Sequence, residues 1–214
     1  MSQLIYYALG TFIALFPLTN PVGAVPIFYS LTANASKHQR LREAKKVALN
    51  ASSIIAFFFV TGQAILDFWG ISLGVLQIAG GLLIARTAWT FGETNQYQTV
   101  TNTPEQNQAK DIALIPMAVP LISGPGAIGL VIGLAAEHPQ WSNYLGGLLG
   151  IAMLGIILYL CLVWGELLVK VFGQSGIRVL SQVLGFFILA ISIQLLADGI
   201  FALLQESGLI LTKD

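Results

Sequence analysis

Proline, glycine and small polar residues cluster in two short stretches of an otherwise apolar sequence, Pro17–Ile27 (PLTNPVGAVPI) and Pro120–Leu130 (PLISGPGAIGL). Proline lacks a backbone N–H and obstructs the preceding helical turn, which frees carbonyl groups, and glycine lets a ligand approach the backbone closely. A helix that restarts after such a break presents unpaired N–H groups and a partial positive charge, which suit a carboxylate. The freed carbonyl groups suit an ammonium group or a cation. The two stretches could therefore bind the charged ends of a small zwitterion.

The candidate substrate-binding residues are of two kinds, those in the two stretches and polar residues within other apolar segments. They are Thr19, Asn20, Pro21, Gly23, Ser123, Gly124, Pro125 and Gly126 in the stretches, and Gln77 and Gln182 elsewhere. Plainer explanations stay open for both kinds. Proline kinks and close packing at glycine are common in membrane helices, and a glutamine inside an apolar helix can simply bond to a neighbouring helix.

The sequence lacks the residue patterns of an enzyme or a metal site. His38 and His138 are predicted to lie in loops on opposite sides, and Cys161, the only cysteine, lies within an apolar run. There is no nucleophile with a base, no phosphate-binding loop and no carboxylate pair suited to catalysis. Arg86 and the few acidic residues of the apolar segments lie near segment ends, where anchoring is the expected role. We therefore expect no enzymatic activity, no cofactor and no metal.

The composition indicates the kind of element that must position the candidate residues. The chain has 214 residues, of which 56% are hydrophobic and 9% are charged, and its mean hydropathy is +0.78. Soluble domains average about 25% charged residues, so this chain cannot cover itself with a hydrated surface. We therefore predict an integral membrane protein. The formal charge of zero gives no indication of nucleic-acid binding, and the first residues, MSQLIYYALG, lack the features of a cleaved signal peptide.

Six apolar segments are long enough to cross a membrane as helices. About 20 residues span the roughly 30 Å of hydrocarbon, and the long, weakly alternating runs favour helices. The segments are Leu4–Ser30, Val47–Phe68, Ile71–Phe91, Ile112–Ala136, Tyr144–Val169 and Val179–Leu204. In the fourth segment, a half-helix over Ile112–Leu121 is predicted to precede the break, which then falls near the bilayer midplane. Leu158 in the fifth segment is predicted to face lipid.

The basic residues predict the orientation of the segments. With the N-terminus outside, nine of the ten lysines and arginines lie on or near the cytoplasmic side, and only Lys213 lies outside. The positive-inside rule therefore predicts that both termini are outside. The polar residues 92–111 then form a cytoplasmic linker without chemistry of its own. The basic run Ser36–Lys46 is interpreted as a topology signal, although binding of anionic lipid or nucleic acid stays an alternative.

The two halves of the chain resemble each other at three places. The two proline-rich stretches match, LQIAGGLLIA from Leu76 matches SQVLGFFILA from Ser181, and DFWG (Asp67–Gly70) matches KVFG (Lys170–Gly173). The three matches follow the same order, with offsets of 103 to 105 residues. This collinearity indicates an internal duplication.

We therefore predict an all-α membrane protein with six transmembrane helices in two repeats of three, residues 1–91 and 112–214. Because three is an odd number, the second repeat enters the membrane from the opposite side, as in the inverted repeats of many secondary transporters. The first helix of each repeat is predicted to be broken near the midplane. Non-helical backbone is tolerated at that depth only where protein or a water-filled cavity covers it.

Three sequence blocks resemble the MarC (UPF0056-type) family of bacterial and archaeal membrane proteins. They are NPVGAVPIF (Asn20–Phe28), GISLGVLQIAGGLLIA (Gly70–Ala85) and PLISGPGAI (Pro120–Ile128), and the resemblance covers nearly the whole chain. It implies a multi-pass protein of the bacterial cytoplasmic (inner) membrane. Because archaeal relatives are described as transporters of small neutral amino acids, it also implies a secondary transporter of amino acids such as glycine and alanine. The family often has an arginine where this chain has Gln77, so a charged contact is not inferred there.

Two other functions stay open. One is a channel or a carrier for another small solute, and the other is a membrane protein that transports nothing. The expected partners are a small neutral amino acid, membrane lipid and, as is common for carriers of this size, further copies of the chain. No nucleic acid is expected among them.

Overall fold

The structure, a computed structural model, describes residues 2–92, 112–137 and 140–207. Within these ranges all regular secondary structure is helical, which confirms the predicted all-α class. The elements are α1 (Ser2–Thr19), α2 (Ala24–Leu31), α3 (Lys37–Trp69), α4 (Leu73–Gly92), α5 (Ala113–Ile122), α6 (Pro125–Glu137), α7 (Trp141–Val163) and α8 (Gly165–Glu206). Most of the predicted linker, residues 92–111, lies outside the described residues, as does His138.

The lengths of the described helices support part of the predicted set of crossings. Three helices are long and apolar enough to cross a membrane, Lys37–Trp69, Trp141–Val163 and Ser175–Glu206, and the bent pair α1–α2 adds a fourth if it is one span. The apolar parts of α4 and α6, Leu73–Trp89 and Pro125–Ala136, are shorter. Six crossings therefore stay a prediction, in which α4 and the α5–α6 pair supply the last two.

The first apolar segment breaks directly after Thr19, and α1 and α2 meet there at an angle of 57°. Asn20 has a positive φ of 41°, and its amide N–H closes the last turn of α1 on the carbonyl groups of Phe16 and Pro17, both at 3.1 Å. Pro21 disfavours helical geometry in the residue before it, and asparagine tolerates a left-handed backbone better than most residues. The Asn-Pro pair therefore ends α1 inside the predicted stretch.

The second broken segment corrects one prediction. α5 is an irregular helical element, because Ile115 and Val119 have extended backbones, with φ of −125° at both and ψ of 124° and 129°. Each directly precedes a proline, Pro116 or Pro120, whose ring disfavours the helical region for the residue before it. The prediction of a regular half-helix over Ile112–Leu121 is therefore wrong, and the irregular backbone begins well before the glycines.

Glycines let α4 and α8 approach closely. A Cβ atom on Gly74 of α4 would lie 2.9 Å from the carbonyl oxygen of Gly199 of α8, and one on Gly81 would lie 3.0 Å from the carbonyl oxygen of Ser192. Such small residues are typical of tightly packed membrane helices. Later residues of α4 contact earlier residues of α8, so the two helices run antiparallel.

The helices α3 and α7 are also antiparallel. A Cβ atom on Gly147 would lie 2.7 Å from Cε1 of Phe59, and one on Gly155 would lie 3.3 Å from Cβ of Ser52. The remaining large contacts join α1 to α7, α4 to α6, and α3 to both α5 and α6. Each broken segment therefore packs against a long helix from the other half of the chain.

Buried apolar side chains form two clusters. One includes Leu15, Ile55, Val131 and Leu154, and the other includes Phe28, Val47, Met117 and Leu162. Leu158 is buried in the second cluster, so the prediction that it faces lipid is wrong. Large apolar side chains are also exposed on the outer surface, as expected where helices meet lipid; among them are Phe57, Phe68, Phe186 and Phe201.

Candidate functional site

Asn20 connects the first break to α8. Its side chain is only 5% exposed, and its Oδ1 accepts a hydrogen bond from the amide of Gly23 at 3.0 Å. Its Nδ2 donates to Oγ of Ser181 at 3.3 Å. Gly23 has to be small because a Cβ atom there would lie 2.7 Å from Cγ of Asn20. The asparagine therefore stabilises the broken backbone and fixes it against α8.

The other predicted residues of the first break are enclosed by protein. Thr19 donates from its hydroxyl to the carbonyl of Leu15 at 3.0 Å, and Pro21 and Gly23 are buried with their neighbours. Covering non-helical backbone in this way meets the requirement that its polar groups be satisfied away from lipid. The structure brings Thr19, Asn20, Pro21 and Gly23 together at the first break, where all four are buried.

Ser123 completes the end of α5. Both its amide N–H and its hydroxyl donate to the carbonyl of Ala118, at 2.8 Å and 2.7 Å, and the residue is 1% exposed. These bonds satisfy a carbonyl that a regular helix would have paired with residue 122. The next two residues differ from Ser123, since Gly124 is half-buried and Pro125 is exposed.

The start of α6 lies close to α4. A Cβ atom on Gly126 would lie 2.9 Å from Cγ1 of Ile84, and one on Gly129 would lie 3.2 Å from the Cα atom of Gly80. The absence of a side chain leaves room for Ile84 at Gly126 and lets the two backbones approach each other at Gly129. This contact brings α4 side chains to the second break, beside the N-terminal turn of α6.

A cavity of about 350 Å³ opens beside the second break. Its wall consists of Leu18 from α1, Leu83, Arg86 and Thr87 from α4, Leu121 and Ile122 from α5, and Gly124, Pro125, Gly126 and Ala127. Three of the predicted site residues therefore line it, those at positions 124 to 126. The fourth predicted residue of this break, Ser123, is buried behind them.

Arg86 is the charged residue among those that line this cavity. It is exposed, and no carboxylate lies within ion-pair distance of it in the part of the chain that the structure describes. Its neighbour Thr87 donates its hydroxyl to the carbonyl of Leu83 at 3.0 Å. The sequence predicts Arg86 to be an anchor near the end of its segment and does not predict its position beside the second break. The available signal is that Arg86 is the one cation inside the apolar segment Ile71–Phe91.

The two predicted glutamines occupy different environments. Gln77 is buried within α4, whereas Gln182 lies on the exposed side of α8. Ser181, one position earlier on α8, bonds to Asn20 at the first break. Adjacent residues of a helix point about 100° apart. A repeat alignment that is off by one residue therefore selects a residue on a different side of the helix. The structure does not bring Gln182 to either break.

Residues of the kind that hold metal ions do not form a cluster in the described ranges. Within them, no group of three or more histidine, cysteine, aspartate or glutamate residues could hold a metal ion. Cys161 is a free, half-buried thiol of α7. The groups that line the cavity at the second break are therefore a guanidinium group, the hydroxyl of Thr87, the residues Gly124–Gly126 and apolar side chains.

Comparison with known proteins identifies the family. The profile of the MarC family of integral membrane proteins matches residues 5–204. A UPF0056 membrane protein of Methanocaldococcus jannaschii is 33% identical to this chain, over 91% of this chain and 96% of its own. The UPF0056 membrane protein YhcE of Escherichia coli is 30% identical, over 88% and 89% of the two chains.

A third relative, a UPF0056 membrane protein of Buchnera aphidicola, is 31% identical over 88% of this chain and 89% of its own length. No solved structure matches the chain. The family profile covers both breaks, the cavity beside the second one and all eight helices except the first three residues of α1 and the last two of α8. The chain is therefore a multi-pass integral membrane protein that belongs to the MarC family.

Proposed function

We propose that the protein is a secondary transporter of small neutral amino acids such as glycine and alanine, and that the cavity beside the second break binds the substrate. The observation that carries this proposal is the composition of the cavity wall, which combines Arg86 with the residues of the second break, Gly124–Gly126. Its volume of about 350 Å³ is at the lower end of the range for ligand sites, which suits a small molecule. The names of the relatives specify no substrate, so the substrate class rests on this chemistry and on the family resemblance.

The two ends of an amino acid find different partners in this cavity. Arg86 offers a guanidinium group, which binds carboxylates through paired, charge-assisted hydrogen bonds. The first turn of α6 adds N–H groups without helical partners and a partial positive charge. The carbonyl group of Leu121, a lining residue, has no helical i+4 donor because residue 125 is a proline, and it is the proposed acceptor for the ammonium group. The apolar lining, including Leu18 and Leu83, favours a small apolar side chain.

The proposed architecture is a pair of inverted repeats, residues 1–91 and 112–214, joined by a linker over 92–111. Each half contains a broken segment, then a long helix, then a last helix. Inversion requires corresponding helices to run antiparallel, and both α3 with α7 and α4 with α8 do so. The first repeat would enter the membrane from outside and the second from inside.

One pair of contacts supports the correspondence between the halves residue by residue. Gly62 of α3 packs on Ile132 of α6, where a Cβ atom would lie 2.8 Å from the Cγ2 atom of Ile132. Gly165, which is 103 positions after Gly62, packs on Tyr29, which is 103 positions before Ile132. The same glycine-to-side-chain contact therefore occurs twice, with the halves exchanged.

The proposed topology has six crossings of the bacterial inner membrane and both termini outside. Lys37, Arg40 and Lys170 lie around one cavity at a single end of the helix bundle, which agrees with one basic, cytoplasmic side. Lys110 and Lys213, which also entered the prediction, lie outside the described residues.

Exchange of labelled alanine in proteoliposomes tests the transport function. A carrier should show saturable uptake that is accelerated by unlabelled alanine on the opposite side of the membrane. Flux that rises without saturation would instead support a channel. Absence of flux for every small solute tried would support a membrane protein that transports nothing.

One observation favours a second candidate, a carrier of small carboxylates that lack an amino group. The cavity wall contains a cation, Arg86, and no carboxylate among its described lining residues that could pair with an ammonium group. Competition against labelled alanine separates the candidates. Inhibition by alanine and not by propionate supports the amino-acid transporter, whereas stronger inhibition by propionate supports the carboxylate carrier.

A further inference from the structure

A second cavity, of about 530 Å³, lies at the end of the bundle where α2 ends, α3 begins and α7 meets α8. Three cations, Lys37, Arg40 and Lys170, line it together with one carboxylate, that of Glu166. None of its lining residues belongs to either break, so it is separate from the proposed substrate site.

The arginine of this basic cavity is fixed by its neighbours. Nη1 of Arg40 is 2.7 Å from Oε1 of Glu166, and its guanidinium lies over the ring of Tyr29 with 4.7 Å between its Cζ atom and the ring centroid. Nη2 also donates to the carbonyl of Thr32 at 3.3 Å. The charge of Arg40 is therefore compensated by Glu166, and this ion pair forms part of the wall.

The two lysines keep their charges uncompensated. Lys37 begins α3 and Lys170 lies in α8, so they approach the cavity from different halves of the chain. Both are exposed, and neither forms an ion pair in the described ranges. The cavity therefore carries a net charge of two positive units, which suits a phosphate group bound between the two ammonium groups.

Apolar residues border the same cavity. Trp164 and Leu167 are each 59% exposed and line it beside Glu166. Tryptophan is enriched where membrane helices reach the lipid headgroups, and basic pockets between helices at the cytoplasmic side bind anionic headgroups. A soluble anion would leave these apolar surfaces uncovered, whereas a lipid would cover them with its acyl chains.

We infer that this basic cavity is a binding site for an anionic membrane lipid. Lys37 and Lys170 bind the phosphate, and Trp164 and Leu167 contact the acyl chains. The Arg40–Glu166 ion pair forms part of the wall and adds no net charge. A free phosphate shares the headgroup chemistry but not the acyl chains, so the two ligands can be distinguished by measurement.

The test measures binding of phosphatidylglycerol, phosphatidylcholine and inorganic phosphate to the purified full-length protein in detergent, by native mass spectrometry and by the rise in the unfolding temperature. We expect phosphatidylglycerol to bind at least tenfold more tightly than phosphatidylcholine. Inorganic phosphate at the same concentration should not raise the unfolding temperature. Equal protection by inorganic phosphate would exclude a lipid site and leave a simple anion site.

Paired variants locate the binding. The double substitution Lys37→Gln with Lys170→Gln should weaken phosphatidylglycerol binding about tenfold, and Lys37→Arg with Lys170→Arg should retain it. The matched control is Arg42→Gln with Lys45→Gln, which removes two exposed charges of α3 that do not line the cavity. Unchanged binding in the Lys37/Lys170 variant, or equal loss in the control, would overturn the inference.

Folding of each variant is checked by its unfolding temperature in phosphatidylcholine, whose headgroup does not need the two lysines. If the double glutamine variant fails to fold, Lys37→Gln and Lys170→Gln are measured singly. Each should then lose part of the preference for phosphatidylglycerol, and full retention by both would contradict the assignment.

Discussion

Gly70 and Gly173 both have positive φ angles, 63° and 66°, and they are 103 positions apart in the sequence. Gly70 ends α3 in the left-handed conformation, and Gly173 interrupts α8 with a ψ of 170°. They are the last residues of the matching tetrapeptides DFWG and KVFG. The sequence match therefore coincides with a matching requirement for glycine in the backbone.

Replacing either of these glycines by alanine should destabilise the fold. A left-handed backbone costs a non-glycine residue about 1–2 kcal/mol, and the region that Gly173 occupies is essentially restricted to glycine, at about 1–3 kcal/mol. The measurement is unfolding of Gly70→Ala and Gly173→Ala in detergent. Gly10→Ala, in the interior of α1 with open space around it, is the control and should be neutral or stabilising. Equal stability of all three variants would show that the backbone at Gly70 and Gly173 does not require glycine.

The bond between Asn20 and Ser181 should appear as a coupling in a double-mutant cycle. Because each removal leaves a buried partner without its hydrogen bond, Asn20→Ala and Ser181→Ala should each lower the free energy of unfolding by about 1–3 kcal/mol. The double variant should lose about 0.5–1.5 kcal/mol less than the sum of the two. Gln182→Ala, on the exposed side of the same helix, is the control and should change stability by less than about 0.5 kcal/mol. Strict additivity would show that the contact contributes nothing.

Arg86→Gln should weaken the binding of transported substrate. Hydrogen bonds to charged groups contribute roughly 1.5–3 kcal/mol, so the half-saturation concentration of alanine should rise about tenfold to a hundredfold. Uptake into proteoliposomes measures this change. Arg178→Gln, which removes an exposed cation of α8 outside the cavity, should leave transport unchanged. Normal saturation of the Arg86 variant would mean that Arg86 is only an anchor.

Gly124→Val should block the cavity beside the second break. The glycine is half-buried in the wall, so the branched side chain would project into the space that the substrate requires. We expect uptake to fall at least tenfold, and Gly124→Ala to give a smaller loss. Gly133→Ala in α6, where a new Cβ atom meets nothing within 4 Å, serves as the control. Full transport by a folded Gly124→Val protein would place the substrate elsewhere.

Cysteine labelling in intact cells tests the predicted orientation. In a Cys161→Ala background, Ser2→Cys and Thr212→Cys should react with an impermeant thiol reagent, because both termini are expected outside. Gln39→Cys, beside the basic start of α3, should react only after the cells are permeabilised. Protection of both terminal cysteines in intact cells would reverse the topology.

The sequence was most informative where a residue type dictates backbone geometry. The Asn20-Pro21 pair predicts the first break, and the matching tetrapeptides that end at Gly70 and Gly173 coincide with two backbone positions that require glycine. The irregular backbone of α5 follows from the same rule, since Pro116 and Pro120 each act on the residue before them. The apolar run alone favours a regular half-helix there, but the two prolines exclude one.

The sequence was less informative about which side of a helix meets protein. Lipid is as apolar as the interior, so apolar residues on the two sides of a membrane helix look alike. Leu158 is therefore buried although it was predicted to face lipid, and Ser181 takes the inward position that Gln182 was expected to occupy. The position of Arg86 beside Gly124 also depends on how α4 packs on α6, which no local pattern encodes.

The bond between Asn20 and Ser181 joins residues 161 positions apart, and this separation has a consequence for biogenesis. A ribosome adds about 5–20 residues per second, so on the order of ten to thirty seconds pass between synthesis of the asparagine and synthesis of its partner. During that time the amide nitrogen of Asn20 cannot donate to Ser181. A buried amide without its partner costs about 1–3 kcal/mol, so the first break should reach its full stability only after the last helix arrives.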